Sequence, residues 1–269
     1  MVFLQYLIPQ HLLSKCMHRF ARIEIVWLKN NFLRWFVKKY GVNLAEAERE
    51  RIEDYCHIND FFTRSLKSSV RALADAEIVS PVDGAVSQAG VIQSSQILQA
   101  KGRHYSAQQL LADESSTQFE DGQFATIYLS PKDYHRIHMP FDGRLKSMTY
   151  IPGDLFSVNQ KTAENVNGLF ARNERLVCYF ETAFGEVAFI LVGAIMVGSM
   201  EVVWERKITP PYTKSVKEYD YSSEDIHLMK GEEMGRFNMG STVIIIMPEG
   251  APKMDLLESQ SLQMGQSIL

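Results

Sequence analysis

Two histidines three residues apart, His135 and His138, sit between Pro131 and Pro140 in the stretch Tyr128-Leu129-Ser130-Pro131-Lys132-Asp133-Tyr134-His135-Arg136-Ile137-His138-Met139-Pro140. Imidazoles gain and lose protons near neutral pH, so the pair suits proton handling. In a helical turn this spacing puts both rings on one face; in an extended segment it puts them on opposite faces. A metal pair is the competing use, but no convincing third Cys or His lies nearby, and two histidines alone are weak evidence for zinc. For either ring, a satisfied interior histidine is the plain alternative. Asp83, in Ser80-Pro81-Val82-Asp83-Gly84, is an acid in an apolar strand–turn–strand setting. It fits an ordinary Asp-Gly turn, or a fixed carboxylate that orients an imidazole. Ser241 follows Gly240 where a turn runs into Val243-Ile244-Ile245-Ile246. Glycine there can adopt backbone angles closed to other residues and bring the Ser oxygen to a neighbouring carbonyl. By itself the Gly-Ser-Thr stretch fits a β-turn before a core strand. Taken together, Asp83, His138 and Ser241 supply orienter, base and nucleophile. Residue 243 is Val, so the Gly-x-Ser-x-Gly elbow of an ordinary esterase is absent.

These residues need strands to hold them. After Asp75 the chain becomes short apolar runs punctuated by Gly, Pro, Asp and Asn. Strands are predicted over 77–79, 85–92, 124–129, 144–150, 175–182, 186–192, 195–204 and 242–247, with a hairpin about Phe184-Gly185. Residues 205–232 are predicted as a loop-rich excursion. Upstream, residues 2–13 are apolar with a break at Pro9. Residues 19–40 are predicted helical, with Ala21, Ile25, Leu28, Phe32, Trp35 and Phe36 on one stripe and Arg22, Lys29, Arg34 and Lys38 off it. Residues 44–56 are predicted helical and polar, and a further helix is expected to start at Asn59 or Asp60. The fold class is therefore α+β: basic amphipathic helices over 1–70, then a β-rich sandwich or barrel-like catalytic core over 71–269.

Composition narrows the setting. An apolar fraction of 46% with 22% charged residues suits a globular chain that buries a core. Residues 1–40 carry seven Lys and Arg against Glu24, a balance of +6, which leaves −10 on the rest of a chain whose net charge is −4. A basic, aromatic helix on an acidic body suits an anionic membrane interface; packing on its own domain or on a second subunit is the alternative. Three scattered cysteines, Cys16, Cys56 and Cys178, argue against a disulfide framework and fit a reducing compartment. Gln5, Pro9, Gln10 and His11 interrupt the first apolar residues, and no small-residue cleavage site follows, so no signal peptide is expected. No charge-free apolar run approaches the ~18 residues of a spanning helix.

As a set, several stretches resemble phosphatidylserine decarboxylase of the shorter bacterial type over nearly the whole length. They are Asn59-Asp60-Phe61-Phe62, Val82-Asp83-Gly84, Leu98-Gln99-Ala100-Lys101-Gly102, the His135–His138 stretch, Pro152-Gly153-Asp154-Leu155-Phe156-Ser157-Val158-Asn159, Leu169-Phe170-Ala171-Arg172-Asn173-Glu174-Arg175, and Gly235-Arg236-Phe237 leading into Gly240-Ser241-Thr242. The family usually has Leu before Gly-Ser-Thr; here Met239 keeps volume and apolarity, so processing is expected to survive. The resemblance implies a proenzyme in which Ser241 attacks the Gly240 carbonyl, with His138 as base and Asp83 holding the ring. Cleavage then gives a beta chain 1–240 and an alpha chain 241–269 that begins with a covalent pyruvoyl group made from Ser241. That group forms a Schiff base with phosphatidylserine, carbon dioxide leaves, and phosphatidylethanolamine results. His135 is the candidate proton donor of that second reaction. The resemblance further implies no metal, no nucleic-acid partner, a peripheral place on the cytoplasmic face of the inner membrane, and room for a homodimer of the processed pair. Three rivals stand beside it: a pyruvoyl decarboxylase of a soluble amino acid, a Ser hydrolase using the same triad, and a non-enzymatic membrane-surface protein.

Overall fold

Apolar, β-branched runs bury well only when neighbours cover both faces, and the chain after residue 84 is built to satisfy that need. The computed structural model describes residues 2–195, 199–210, 212–238 and 242–269. In chain order the strands are β1 (Gly84–Val91), β2 (Gln96–Ala100), β3 (Arg103–Ser106), β4 (Gln123–Tyr128), β5 (Arg136–His138), β6 (Gly143–Ile151), β7 (Arg175–Thr182), β8 (Gly185–Val192), β9 (Met200–Val202), β10 (Arg206–Lys207), β11 (Lys217–Asp220), β12 (His227–Leu228), β13 (Glu233–Phe237), β14 (Thr242–Met247) and β15 (Ser261–Leu262). Among the described residues nine of them form one open antiparallel sheet in the order β11-β6-β7-β8-β14-β4-β1-β15, with β12 also on β6. A second sheet runs β10-β9-β13-β5, and β2 pairs with β3.

β14 lies inside the large sheet, between β8 and β4, and all six of its residues are buried. Successive side chains leave a strand on opposite faces. Val243, Ile245 and Met247 accordingly enter one core with Ile137, Met200 and Phe237 of the second sheet. Ile244 and Ile246 enter the other, under the β2–β3 hairpin and the short helices α4 (Ala107–Leu111), α5 (Gln160–Ala163) and α6 (Leu169–Arg172). The fold is α+β and sandwich-like, and among the described residues no sheet closes into a barrel. The expected hairpin is present, with Thr182 opposite Gly185.

The first part of the chain departs from the periodicity reading. The helix expected over 19–40 is two helices, α1 (Gln10–Phe20) and α2 (Val26–Tyr40). The turn between them lets the Ala21 carbonyl accept from Asn59 N–H. α2 buries Lys29, Asn30, Leu33 and Phe36, while Ile25 and Trp35 of the expected stripe are exposed. Lys29, expected on the outward cationic face, instead donates to the carbonyls of Ile52 and Tyr55. α2 stops at Gly41, whose φ of +69° is the left-handed cap that glycine favours. Residues 44–56 hold only two 3-10 turns, Leu44–Glu46 and Ile52–Asp54, because tertiary contacts such as the Arg49–Asp60 ion pair set their path. α3 (Ile58–Phe62) is capped by His57, whose Nδ1 accepts from Asp60 N–H, two positions before Asn59 and three before Asp60, the expected caps. Residues 77–79 form only an isolated bridge from Val79 to Ser267. Within 195–204 the described strand is β9 alone. Residues 205–232 contain β10, β11 and β12.

Candidate active site

Strand pairing gathers the chemistry at one end of the large sheet. Tyr128, the last residue of β4, is opposite Ala85 on one side and Thr242 on the other. Asp83 thus stands just before β1, and β14 begins with Thr242 at the same end of β4. β5 is held beside them: His138 N–H donates to Pro81 O at 2.9 Å, and His138 is opposite Glu233 of β13. β13 then leads towards the proposed scissile bond. Phe237 N–H donates to His135 O at 3.0 Å. Met239, Gly240 and Ser241 lie outside the described residues.

β5 is extended, so the two histidines do not share a helical face as the first alternative for their spacing would have it. The pairing with β13, distant in sequence, decides between the two alternatives. His138 Nδ1 is 2.8 Å from the Gly231 carbonyl. A carbonyl only accepts, so Nδ1 carries the proton and Nε2 holds the lone pair. The Tyr134 hydroxyl donates to that Nε2 at 2.9 Å, and burial pushes Tyr134 up to about 12, which keeps it protonated. Burial lowers the pKa of His138, against the opposing pull of the Gly231 carbonyl, Glu233 and Asp83. The ring is neutral at pH 7, as a general base must be.

Asp83 is brought near His138 but not into hydrogen bond with it. Arg71 grips its carboxylate twice, Nε to Oδ1 at 2.9 Å and Nη2 to Oδ2 at 2.5 Å, and Met264 N–H donates to Oδ1 at 2.8 Å. Arg71 Nη2 also reaches Glu46 Oε2 at 2.8 Å. Asp83 therefore acts on His138 through its field, while the Gly231 carbonyl sets the tautomer.

His135 is fully buried against the Phe62 ring, with ring centroids 4.7 Å apart. Its Nδ1 donates to Asp133 O at 2.8 Å, and its Nε2 has no partner. Burial, aided by the positive charge of Arg64, pushes His135 down to about 3. It is neutral and offers an unused lone pair. A second unpartnered buried polar atom, Thr242 Oγ1, begins β14.

Sequence reasoning missed three contributors. Tyr134 had a signal: at i−4 from His138 it shares a face of an extended segment. Arg71, alone among Ser, Val and Ala, had none. Asn238 also had none: it receives a hydrogen bond from Asn59 Nδ2 at 2.8 Å and gives two, to Ser199 Oγ and Glu201 Oε1, each at 2.8 Å. Other recurrent motifs serve the frame. Gln99 bonds to Ala163, Val166 and Leu169, and Asn173 to Phe156 and Gly193. Among the described residues no group of three or more His, Cys, Asp or Glu could hold a metal ion.

Comparison with known proteins agrees in kind. A family model described as phosphatidylserine decarboxylase matches residues 58–269, and one described as PSD matches residues 1–41. A Methylobacillus flagellatus protein named phosphatidylserine decarboxylase proenzyme is 54% identical over 250 residues, covering 92% of this chain and 89% of the relative. Proteins of the same name from Shewanella amazonensis and Alcanivorax borkumensis are each 52% identical, over 255 and 258 residues. They cover 92% and 94% of this chain and 89% and 88% of their own lengths.

Proposed function

The chain belongs to the phosphatidylserine decarboxylase family, and we propose that it cuts itself between Gly240 and Ser241 and then decarboxylates phosphatidylserine at a membrane surface. One observation carries the reading: a neutral His138, its lone pair on Nε2, sits on a strand hydrogen-bonded to the segment that runs to the cut. In the first reaction Nε2 of His138 accepts the Ser241 hydroxyl proton as the oxygen attacks the Gly240 carbonyl. The peptide bond becomes an ester. Elimination across the Cα–Cβ bond of residue 241 frees the carboxyl end of residue 240. Water then replaces the nitrogen of the resulting dehydroalanine, which leaves as ammonia, and a pyruvoyl group caps residues 241–269. Asp83 stabilises the imidazolium that forms in the attack. Tyr134 must yield Nε2 to the serine, or pass the proton through its own hydroxyl.

The residues present fit such a group, since His135 Nε2 and Thr242 Oγ1 are buried polar atoms awaiting partners. The pyruvoyl ketone supplies an electrophile for the substrate amine and a sink for the electrons left as carbon dioxide departs. His135 Nε2 relays the proton that the substrate ammonium must lose, without resting as the imidazolium, to the carbon that lost its carboxylate. Burial in an apolar wall favours that transfer, because a buried imidazolium is costly.

The arm supports work on a bilayer. Phe3, Leu4, Tyr6, Leu7, Ile8, Leu12, Ile25, Val26, Trp27 and Trp35 are exposed, and Lys15, Arg19, Lys38 and Lys39 are exposed beside them. Among the described residues no helix is long and apolar enough to cross a membrane. Exposed aromatics and cations suit a peripheral position on an anionic leaflet, such as the cytoplasmic one. Intact mass and denaturing electrophoresis of purified protein test the reading. Two chains, the smaller beginning with a ketone-bearing group that borohydride reduces, are expected for the wild type and an unbroken chain for Ser241→Ala. Release of carbon dioxide from phosphatidylserine by the uncut Ser241→Ala protein would refute it.

A further inference from the structure

Arg64, immediately after α3 and Thr63, is an internal cation that makes no ion pair among the described residues, although Asp83, Asp133 and Glu46 act on it through their fields. It is 4% exposed. Its Nη2 donates to two backbone carbonyls, Lys132 O at 2.9 Å and Asp133 O at 3.3 Å, and its guanidinium carbon lies 5.4 Å from the centre of the Phe61 ring. Nε is buried and unpartnered. Burial lowers its pKa from the ordinary arginine value. A buried charge without an opposite partner is expensive, and proteins keep one where a ligand completes it. Nearby Arg71 shows the contrast, since Asp83 and Glu46 both hold it.

Arg64 lines a cavity of about 220 Å³ between Gly41, at the end of α2, and the Lys132–Tyr134 turn. The acids around this cavity are already engaged: Glu46 and Asp83 by Arg71, and Asp133 by the Ser130 N–H at 2.7 Å. Lys132 is exposed. The volume is several times the ~30 Å³ share of one water, room enough for a tetrahedral oxyanion and its ester arms. The cavity also adjoins the proposed reaction centre, because the Asp133 carbonyl that accepts from Arg64 also accepts from His135 Nδ1.

We propose that Arg64, with Lys132 at the rim, is an anion site that takes the phosphodiester of the lipid substrate. The assignment rests on the decarboxylase reading above and names the part of the substrate that is held. The substrate has two anions, and chemistry separates them. A carboxylate paired with a guanidinium is stabilised as it stands, and it loses its charge as carbon dioxide forms, so such a pair raises the barrier. The phosphodiester keeps its charge throughout, so binding it orients the headgroup without holding back the reaction. Bound there, it also offsets the positive field that Arg64 places on His135.

The test compares two substrates in detergent micelles. Phosphatidylserine carries the phosphodiester; O-dodecyl-L-serine presents the same amine and carboxylate without it. Arg64→Gln is expected to lose at least about tenfold more kcat/KM on phosphatidylserine than on the phosphate-free compound, the worth of a charge-assisted hydrogen bond. Arg64→Lys is expected to recover part of that difference. Equal losses on both substrates overturn the assignment, because the carbonyl contacts of Nη2 then account for them. If Arg64→Gln does not fold, the wild type decides. Competitive inhibition by glycerol 3-phosphate, absent with glycerol at equal ionic strength, supports the site. Stronger inhibition by glycerol 3-phosphate than by inorganic phosphate marks a headgroup site, and equal inhibition marks a site for any phosphate; no inhibition by either overturns it. A wild type that releases no carbon dioxide from phosphatidylserine defeats the decarboxylase reading instead, and calorimetry with glycerol 3-phosphate then tests Arg64 alone.

Discussion

Asn59→Ala is expected to slow self-cleavage far more than it weakens the fold. Asn59 Nδ2 donates to Asn238 Oδ1 at 2.8 Å, and both side chains are buried, two residues short of Gly240. Truncation leaves that oxygen buried without a donor, a cost of about 1–3 kcal/mol. The Asn238 amide cannot turn over to compensate, because its Nδ2 already serves Ser199 Oγ and Glu201 Oε1. Its backbone N–H also stays on Ser199 O at 3.0 Å, so the strand end remains attached and the lower part of the range, about 1–2 kcal/mol, applies. For a chain of this size that is a fall in Tm of about 2–8 °C. Attack of a hydroxyl on its own backbone depends on alignment more than on stability, and a displacement of ~1 Å costs roughly 10²-fold in rate. The assay is a time course of freshly synthesised precursor on denaturing gels, with Tm measured in parallel. Asn59→Asp, nearly the same shape, sets a carboxylate oxygen against Asn238 Oδ1 and is expected to mature as slowly. Maturation of Asn59→Ala at the wild-type rate, with the Tm drop present, would show that the bond serves folding alone.

Loss of the proposed base is simpler: His138→Gln is expected to remain uncleaved for at least ~10²–10⁴ times the wild-type maturation time, and a normal gel pattern would remove His138 from the mechanism. His135→Phe is expected to mature and to lose ~10²–10⁴-fold in release of labelled carbon dioxide; retained turnover would take the proton role from it. The same ring gives a pH signature. Its folded pKa of about 3 lies below the ordinary value of 6.5, so the neutral ring's contribution to stability is complete above pH 6.5. It is lost as pH falls towards 3, because the unfolded chain takes the proton first. The difference in urea stability between wild type and His135→Phe is expected to shrink by roughly 1.4 kcal/mol per unit through that window, and a constant difference would contradict the assigned burial. On vesicles containing anionic lipid, binding measured by sedimentation is expected to weaken with added salt and again in Trp27→Ala, whose ring is exposed. Salt-independent binding, equal in the variant, would exclude the arm.

Much of the core was legible because its physics is local. Val243-Ile244-Ile245-Ile246 can be buried only as a strand covered on both faces, and the residues around Phe184-Gly185 can hardly avoid a hairpin. The arm was less legible because its conformation is set from a distance. Residues 44–56 carry a helical pattern, yet Tyr55 OH bonding to Arg49 O, the Arg49–Asp60 pair and Lys67 on Glu50 fix an irregular path. At the site, residue type singled out His135, His138 and Asp83 as candidates, and pairing of β5 with β13 then made the backbone extended at His138. That Arg71 and the Met264 N–H, rather than His138, fill the acceptor positions of Asp83 could not be read from any spacing.

The proposed break at the entry to a central strand would look hazardous, and the sheet explains why it would be tolerable. β14 is paired along its length with β4 and β8, so a cut before Thr242 removes none of its ladder bonds. Val243 to Met247 are all fully buried, and each such side chain contributes about 1.5–3 kcal/mol, some 8–15 kcal/mol together. That is comparable with the ~4–15 kcal/mol of freedom that a separate chain forgoes on binding. Beyond β14 the tail adds further ties: Ser261 and Leu262 pair with β1, Met264 N–H reaches Asp83, and Ser80 and Ile268 N–H groups donate to Gln266 and Ile78 carbonyls. Residues 242–269 are thus fastened on both sides of the candidate site. Under the proposed cut, the strand that starts at Thr242 would keep its place between β4 and β8, beside β5, which is the arrangement a second reaction at the same site requires.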